Sequence, residues 1–443
     1  MNIQLSDHFN YKKLLTFTLP SIAMMIFTSI YGVVDGFFVS NFVGETAFVA
    51  VNFIMPVLMI LGAVGFMFGS GGSALIAKTM GQGDIKKANK LFSMFVYVTS
   101  VCGIILAITG IMFLRPMASL LGAEGEMLEY CVTYGTVILS ALPFYMLQYE
   151  FQSFMVTAEK PGLGLAVTVA AGMTNIVLDA LFTAVFQWGL VGAAAATALS
   201  QTVGGVIPLI YFARPNKSIL YLCKTNFDGH SLLKACANGS SELMSNISMS
   251  IVSMLYNIQL LAYAGEAGVA AYGVLMYVNM IFLAVFIGYS VGVAPVIGYH
   301  YGAENHGELK SLLGKSLKIT FIFSVVMFLL SELLGKPLAL IFVGYNDALV
   351  DMTVHAFAIY SFSFLFAGFA IFGSSFFTAL NNGLVSALIS FLRTLVFQVA
   401  AVLIFPIFWE LDGIWLSIVA AEVMAVIVTT VFVFAMRKKY RYM

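Results

Sequence analysis

The chain has 443 residues, of which 61% are hydrophobic and 9% charged, and its formal net charge is zero. Soluble proteins carry about 25% charged residues, so this composition excludes a soluble enzyme or a nucleic-acid-binding domain and points to a polytopic membrane protein. Cys102, Cys131, Cys223 and Cys236 have neither the density of a disulfide framework nor metal-ligand spacing, and the five histidines gather no ligand array, so no metal centre is expected.

The first apolar run follows Lys12 and Lys13. It is about twice the length of a signal-peptide core, roughly 7–15 residues, and is predicted to be a retained first span. Pro20 should bend it. Asp35 lies inside it with no compensating charge nearby in sequence. An ionisable group at membrane depth is costly and faces a polar interior or a partner. Twelve segments are long enough to span, at approximately 13–41, 47–77, 89–114, 127–157, 162–186, 189–212, 234–263, 268–297, 311–334, 348–378, 383–407 and 413–436. Long continuous apolar runs in lipid must be helices, because barrel strands are short and alternate. With the N-terminus in the cytoplasm, 18 of the 21 basic residues fall on the inner side; Arg115 and Lys336 fall outside and Arg393 within a span. The positive-inside rule then places both termini in the cytoplasm.

A shift of 221 residues superposes the two halves without gaps. Gly44-Glu45 falls on Gly265-Glu266, Gly81 on Gly302, Pro116 on Pro337, Ser153 on Ser374, Gly162 on Gly383 and Trp188 on Trp409. Six spans is an even number, so the repeat is parallel, with its axis along the membrane normal. The expected fold is therefore all-α, with twelve transmembrane helices in two six-helix lobes, 1–212 and 233–443, related by a parallel pseudo-two-fold repeat. A polar, basic cytoplasmic linker over 213–232 joins them. Such lobes are transporter architecture, with sites between or within the lobes and alternating access by rocking. A nucleotide-driven pump is excluded: Gly314-Lys315-Ser316 lacks the glycine a phosphate loop needs five positions earlier, where Leu309 stands.

Helix rise brings four polar residues of the first lobe to similar depth. Asp35 lies roughly 33 Å beyond Lys13, Asp179 roughly 27 Å beyond Pro161, and Thr197 roughly 12 Å from the outer end of its span. Asn175 and Asp179, four apart, share a helix face. Two carboxylates in a partly dry pocket disfavour each other's ionisation. Such a pair can carry a proton; the same oxygens could hold Na⁺, or the cluster could merely tie helices together.

Pro20 followed by Tyr31-Gly32-Val33-Val34-Asp35-Gly36-Phe37-Phe38-Val39 resembles the first helix of the multidrug and toxic compound extrusion (MATE) family. Gly44 with Ala47 and Ala50, the Gly81-Gln82-Gly83-Asp84 loop and Asn175-Ile176-Val177-Leu178-Asp179 are similar to its recurring patterns. The resemblance covers essentially the whole chain. It implies a secondary antiporter in the cell membrane, not an enzyme, expelling drugs or metabolites in exchange for H⁺ or Na⁺ and needing no other cofactor. The family's first-lobe cation site would fall on Asp35, Asn175, Asp179 and Thr197. The repeat partner of Asp35 is Tyr256 and that of Asp179 is Ala400, so the second lobe is not expected to copy that site. The expected partners are a small organic, often cationic, substrate and the bilayer, with the chain acting as a monomer. A lipid or lipid-linked sugar flippase of related fold is the alternative.

Gln148 and Gln152 share a face of the fourth span and, with Tyr31, are the candidate substrate lining. Arg393 and Glu422 each lie roughly 15 Å into their spans, and Glu242 slightly nearer the cytoplasm. These three are expected to form a charged cluster in the second lobe, with Glu422 as the first partner of Arg393 and Glu242 as the second.

Overall fold

The computed structural model describes residues 3–43 and 45–443; Gly44, part of one expected repeat match and of the family resemblance, lies outside them. The described residues form helices α1 (Tyr11–Phe38), α2 (Glu45–Gly81), α3 (Ile85–Leu120), α4 (Gly125–Ser140), α5 (Leu142–Thr157), α6 (Pro161–Asp179) and α7 (Gly189–Ala213) in the first half. The second half holds α8 (Gly229–Gly302), α9 (His306–Val343), α10 (Asp347–Tyr360), α11 (Phe364–Ala379), α12 (Gly383–Phe391) and α13 (Phe397–Tyr440). Three π-helical turns, at Val39–Val43, Ala180–Val185 and Leu392–Val396, continue or join these helices.

Among the described residues nine helices are long and apolar enough to cross a membrane, or ten when α4 and α5, bent by 57°, count as one span. Two of the long helices are interrupted. Gly265 has φ 62° inside α8 and Glu410 has φ 49° inside α13, a left-handed backbone that breaks the helical path. Helix starts are set by short polar side chains that satisfy a first-turn N–H. Asn10 accepts from Lys13 N at 2.8 Å, Asp84 from Lys87 N at 2.9 Å and Asn305 from Glu308 N at 3.2 Å.

The residues of the expected linker are largely irregular chain that docks on α3. Asn89 and Ser93, four apart on α3, accept the backbone N–H groups of Tyr221 and Cys223 at 2.7 and 2.8 Å. Leu220, just before them, is fully buried. Its last residues, from Gly229, already belong to α8.

Where α2 meets α8 the backbones touch. A Cβ on Gly81 would sit 2.0 Å from the Tyr299 carbonyl oxygen, and one on Gly302 would sit 2.0 Å from that of Lys78. A backbone atom cannot swing aside as a side-chain tip can, so glycine is required at both places. Gly302→Val is expected to destabilise the protein by more than about 3 kcal/mol, at or beyond the upper end of ordinary overpacking. Melting of the detergent-purified protein checks this against Gly314→Ala, whose added methyl meets nothing within 4 Å. A wild-type melting temperature for Gly302→Val would remove the argument.

The chain before α1 is a strap that ties the two halves together. Leu5 and Phe9 are fully buried in the largest apolar cluster, which also takes in Tyr440 and Tyr442 from the other chain end. Leu5 N donates to Glu159 Oε1 at 2.7 Å, on the turn after α5. Phe9 N donates to Glu308 Oε1 at 2.9 Å, and His8 Nδ1 lies 2.7 Å from Glu308 Oε2, on α9. Lys315 donates to the Phe9 carbonyl. The Lys13 ammonium, 2.7 Å from Asp7, holds that carboxyl below its ordinary range, whereas burial pushes the Glu159 carboxyl up.

Candidate functional site

The first-half polar residues meet where α1, α6 and α7 converge. Asp35 stands one turn before the π-helical residues 39–43, and Asp179 is the last residue of α6 before the π-helical turn Ala180–Val185. Single π turns inside helices recur at functional sites because they re-aim side chains without ending the helix. Thr197 Oγ1, on α7, donates to Asp35 Oδ1 at 3.2 Å and receives Asn175 Nδ2 at 3.5 Å. The Asp179 carboxyl lies within direct interaction range of the Asp35 carboxyl. Asp179 is fully buried, and neither of its oxygens has a hydrogen-bond donor of good geometry. Asn175 Oδ1 is likewise buried and without a partner. All four expected residues therefore gather in one largely buried pocket, in which the Asp179 oxygens and Asn175 Oδ1 receive no protein hydrogen bond.

Such a pocket presents two carboxyls beside the Thr197 hydroxyl and the Asn175 amide. Two carboxyls side by side away from water cannot both carry a charge at low cost. A proton on one of them, or a small cation between them, removes the conflict.

In the second half, Arg393 sits inside the π-helical turn Leu392–Val396 and reaches Glu422 on α13. Arg393 Nε lies 3.1 and 2.8 Å from Glu422 Oε1 and Oε2, and the Nη2 atom lies 2.8 Å from Oε1. The fork geometry makes this a strong charge-assisted pair. Glu242, on α8, is partly buried and forms no ion pair with Arg393 among the described residues. The structure thus joins two of the three expected members in an ion pair, Arg393 and Glu422.

The family model described as MatE matches this chain over residues 20–181 and again over residues 243–404. The chain belongs to the MatE family. A multidrug export protein MepA from Staphylococcus saprophyticus is 25% identical over 441 residues, covering 97% of this chain and 94% of its own length. The MepA of Staphylococcus haemolyticus is 26% identical over 318 residues, 72% of this chain and 70% of its own. Among solved structures, an outward-facing multidrug resistance MATE family transporter of the MOP superfamily superposes with a TM-score of 0.93 at 23% identity, covering 100% of this chain and 99% of that one. A MATE structure in complex with MaL6 gives a TM-score of 0.93 at 23% identity, with 98% of each chain covered. The fold is thus that of the MatE transporters, a multi-pass, all-helical membrane architecture.

Of the candidate substrate residues of this MatE chain, Tyr31 stands one turn before Asp35 on α1. Tyr31 contacts Gln148, and its ring would lie 2.9 Å from a Cβ on Gly172. Gln148 and Gln152 are buried, and Gln148 Oε1 and both amide atoms of Gln152 lack partners. In this conformation they line a crevice of about 10 Å³ between α5, α6 and α7, room for about one water. A drug-sized ligand needs roughly 300–1,000 Å³, so the pair would meet substrate only after the helices part.

Two residues of this MatE chain escaped the sequence reading. Tyr134, on α4, is fully buried, and its phenol lies against the Thr197 hydroxyl and within electrostatic reach of both Asp35 and Asp179. Glu150, on α5, is fully buried as well; Oε1 receives Thr99 Oγ1 at 3.0 Å and Oε2 has no partner. Glu150 could have been found by the reasoning that singled out Asp35, since it too is a carboxylate inside an apolar run.

Proposed function

We propose that this chain is a secondary active antiporter that exports amphipathic, often cationic, organic molecules in exchange for H⁺ or Na⁺ by alternating access. The observation that carries the reading is the pocket of Asp35, Asp179, Asn175 and Thr197, in which Asp179 has two buried oxygens and no donor. Proton or cation entry on one phase of the cycle and release on the other would reshape the contact of α1 with α6 and α7. Substrate would bind on the phase in which the pocket is empty of its ion. The names of the relatives, multidrug export proteins, support an organic substrate.

Twelve spans in two six-helix lobes complete the reading. The breaks at Gly265 and Glu410 would each divide one long helix into two spans. Left-handed residues recur 221 positions apart, at Gly83 and Glu304 and at Gly189 and Glu410. Close contacts recur with the same offset: Gly81 on Tyr299 mirrors Gly302 on Lys78, and Gly239 close to Gly71 mirrors Thr18 on Gly292. The double family match supports the same division. Positive-inside placement would put both chain ends and the strap in the cytoplasm.

Efflux of a cationic dye from proteoliposomes, under separately imposed pH and Na⁺ gradients, tests the proposal. One gradient should drive efflux and the other should not. Equal slow efflux with both gradients absent or present would refute coupling.

A further inference from the structure

We propose that the groove at the neighbouring ends of α6 and α7 binds the headgroup of an anionic phospholipid. The groove has a volume of about 510 Å³, and its rim carries Lys160, Arg214 and Lys217. No carboxylate lines it, and none of the three cations takes part in an ion pair among the described residues. The nearest acid in sequence, Glu159, is turned to the Leu5 N–H of the strap at 2.7 Å. The groove therefore gathers three positive charges with no carboxylate in its lining; the Glu159 carboxylate is within electrostatic reach of Lys160 but lies outside the groove.

Its shape is fixed by the backbone around it. Asn216 Nδ2 donates to the carbonyls of Tyr211 and Arg214 at 3.1 and 3.0 Å, and Asn216 Oδ1 receives Ser218 N at 2.8 Å. Ser218 Oγ donates to the Ala158 carbonyl at 3.2 Å, which pins the 214–218 turn to the end of α5. Lys160 immediately precedes α6 and Arg214 immediately follows α7. Lys160 and Arg214 thus stand at helix ends and Lys217 in the turn just beyond, the level of headgroups rather than hydrocarbon.

The inner wall is apolar. Ile207 and Ile210 line the groove and are exposed, and Leu199 continues the same exposed face of α7 two turns toward the membrane centre. On a spanning helix such a stripe faces lipid tails. Cations at the interface above a tail-facing stripe match a phosphate with acyl chains attached, and basic pockets between helices bind acidic headgroups this way. A free phosphate would use the rim and leave the stripe empty. The inference needs only that the chain lies in a bilayer, and its test involves no transport.

The experiment follows melting of the full-length protein in neutral detergent as lipid is titrated. Phosphatidylglycerol should stabilise it; phosphatidylcholine with the same chains and soluble glycerol phosphate should not. The variant Lys160→Gln/Arg214→Gln/Lys217→Gln should lose the shift, and the charge-keeping Lys160→Arg/Arg214→Lys/Lys217→Arg should retain it. Each cation removed should weaken phosphatidylglycerol by roughly five-fold. Equal shifts from the two lipids, a full shift from glycerol phosphate, or an unchanged shift in the glutamine variant would each overturn the site. If the triple variant is not recovered folded, Lys217→Gln alone, in an exposed turn, decides: unchanged affinity overturns the site and the five-fold loss supports it.

Discussion

Asp35→Asn is expected to insert and fold normally and to reduce gradient-driven efflux to the leak of empty vesicles. The amide oxygen can still receive the Thr197 hydroxyl, now 3.2 Å from Asp35 Oδ1, so the helix contact survives. What is lost is the charge that a proton or cation must neutralise. Asp179→Asn should produce a comparable loss, and the double variant should be little worse than either single one. Residues that act in one network are non-additive in this way. Flux in proteoliposomes, normalised to the amount of inserted protein, measures all three. Full transport by Asp35→Asn would end the role proposed for it, and losses that multiply in the double variant would show two independent groups.

Glu422→Gln is expected to cost about 3 kcal/mol, because it strands a largely but not fully buried guanidinium, 12% exposed, without its anion. Three contacts of 2.8–3.1 Å run from Arg393 to this one carboxylate, and no second ion pair to Arg393 is found among the described residues. Replacing both partners with apolar residues, as in Arg393→Met/Glu422→Leu, should recover most of the loss, since removing both charges also removes their desolvation cost. Thermal melting in detergent reads both effects. A Glu422→Gln protein that melts with wild type would mean that the guanidinium has found water or another acceptor. The double variant also separates structure from transport. If it is stable and still exports, the pair is a tie between α12–α13 segments; if it is stable and inactive, the charges serve the transport cycle.

The spans were legible because lipid allows no alternative to a long apolar helix. Their ends were not. The ninth segment reads as 311–334, whereas α9 runs from His306 to Val343. Hydropathy marks the hydrocarbon layer, but Asn305 caps the helix outside that layer. The fourth segment hides a bend at Ala141, between α4 and α5, that apolar composition cannot signal. In the site, Asp35 and Asp179 stood out through the cost of a carboxylate in lipid. Tyr134 could not: it is one of 20 tyrosines, and its place beside Thr197 is a contact between distant parts of the chain. Glu150 carried the same signal as Asp35, and the expectation placed on Gln148 and Gln152 passed over it. The docking of the 214–228 segment on Asn89 and Ser93 is a contact between distant parts of the chain, invisible to local pattern.

The π-helical turns bear on how this chain should be aligned with its relatives. A π turn takes in one residue more than an α turn, and one residue is about 100° of rotation in an α-helix. A single-residue deletion within 39–43, 180–185 or 392–396 can be absorbed by tightening that turn, leaving the helix beyond it in phase. The same deletion elsewhere in a span would swing every later side chain to another face. One-residue gaps between this chain and distant relatives therefore belong in those three windows, next to Asp35, Asp179 and Arg393.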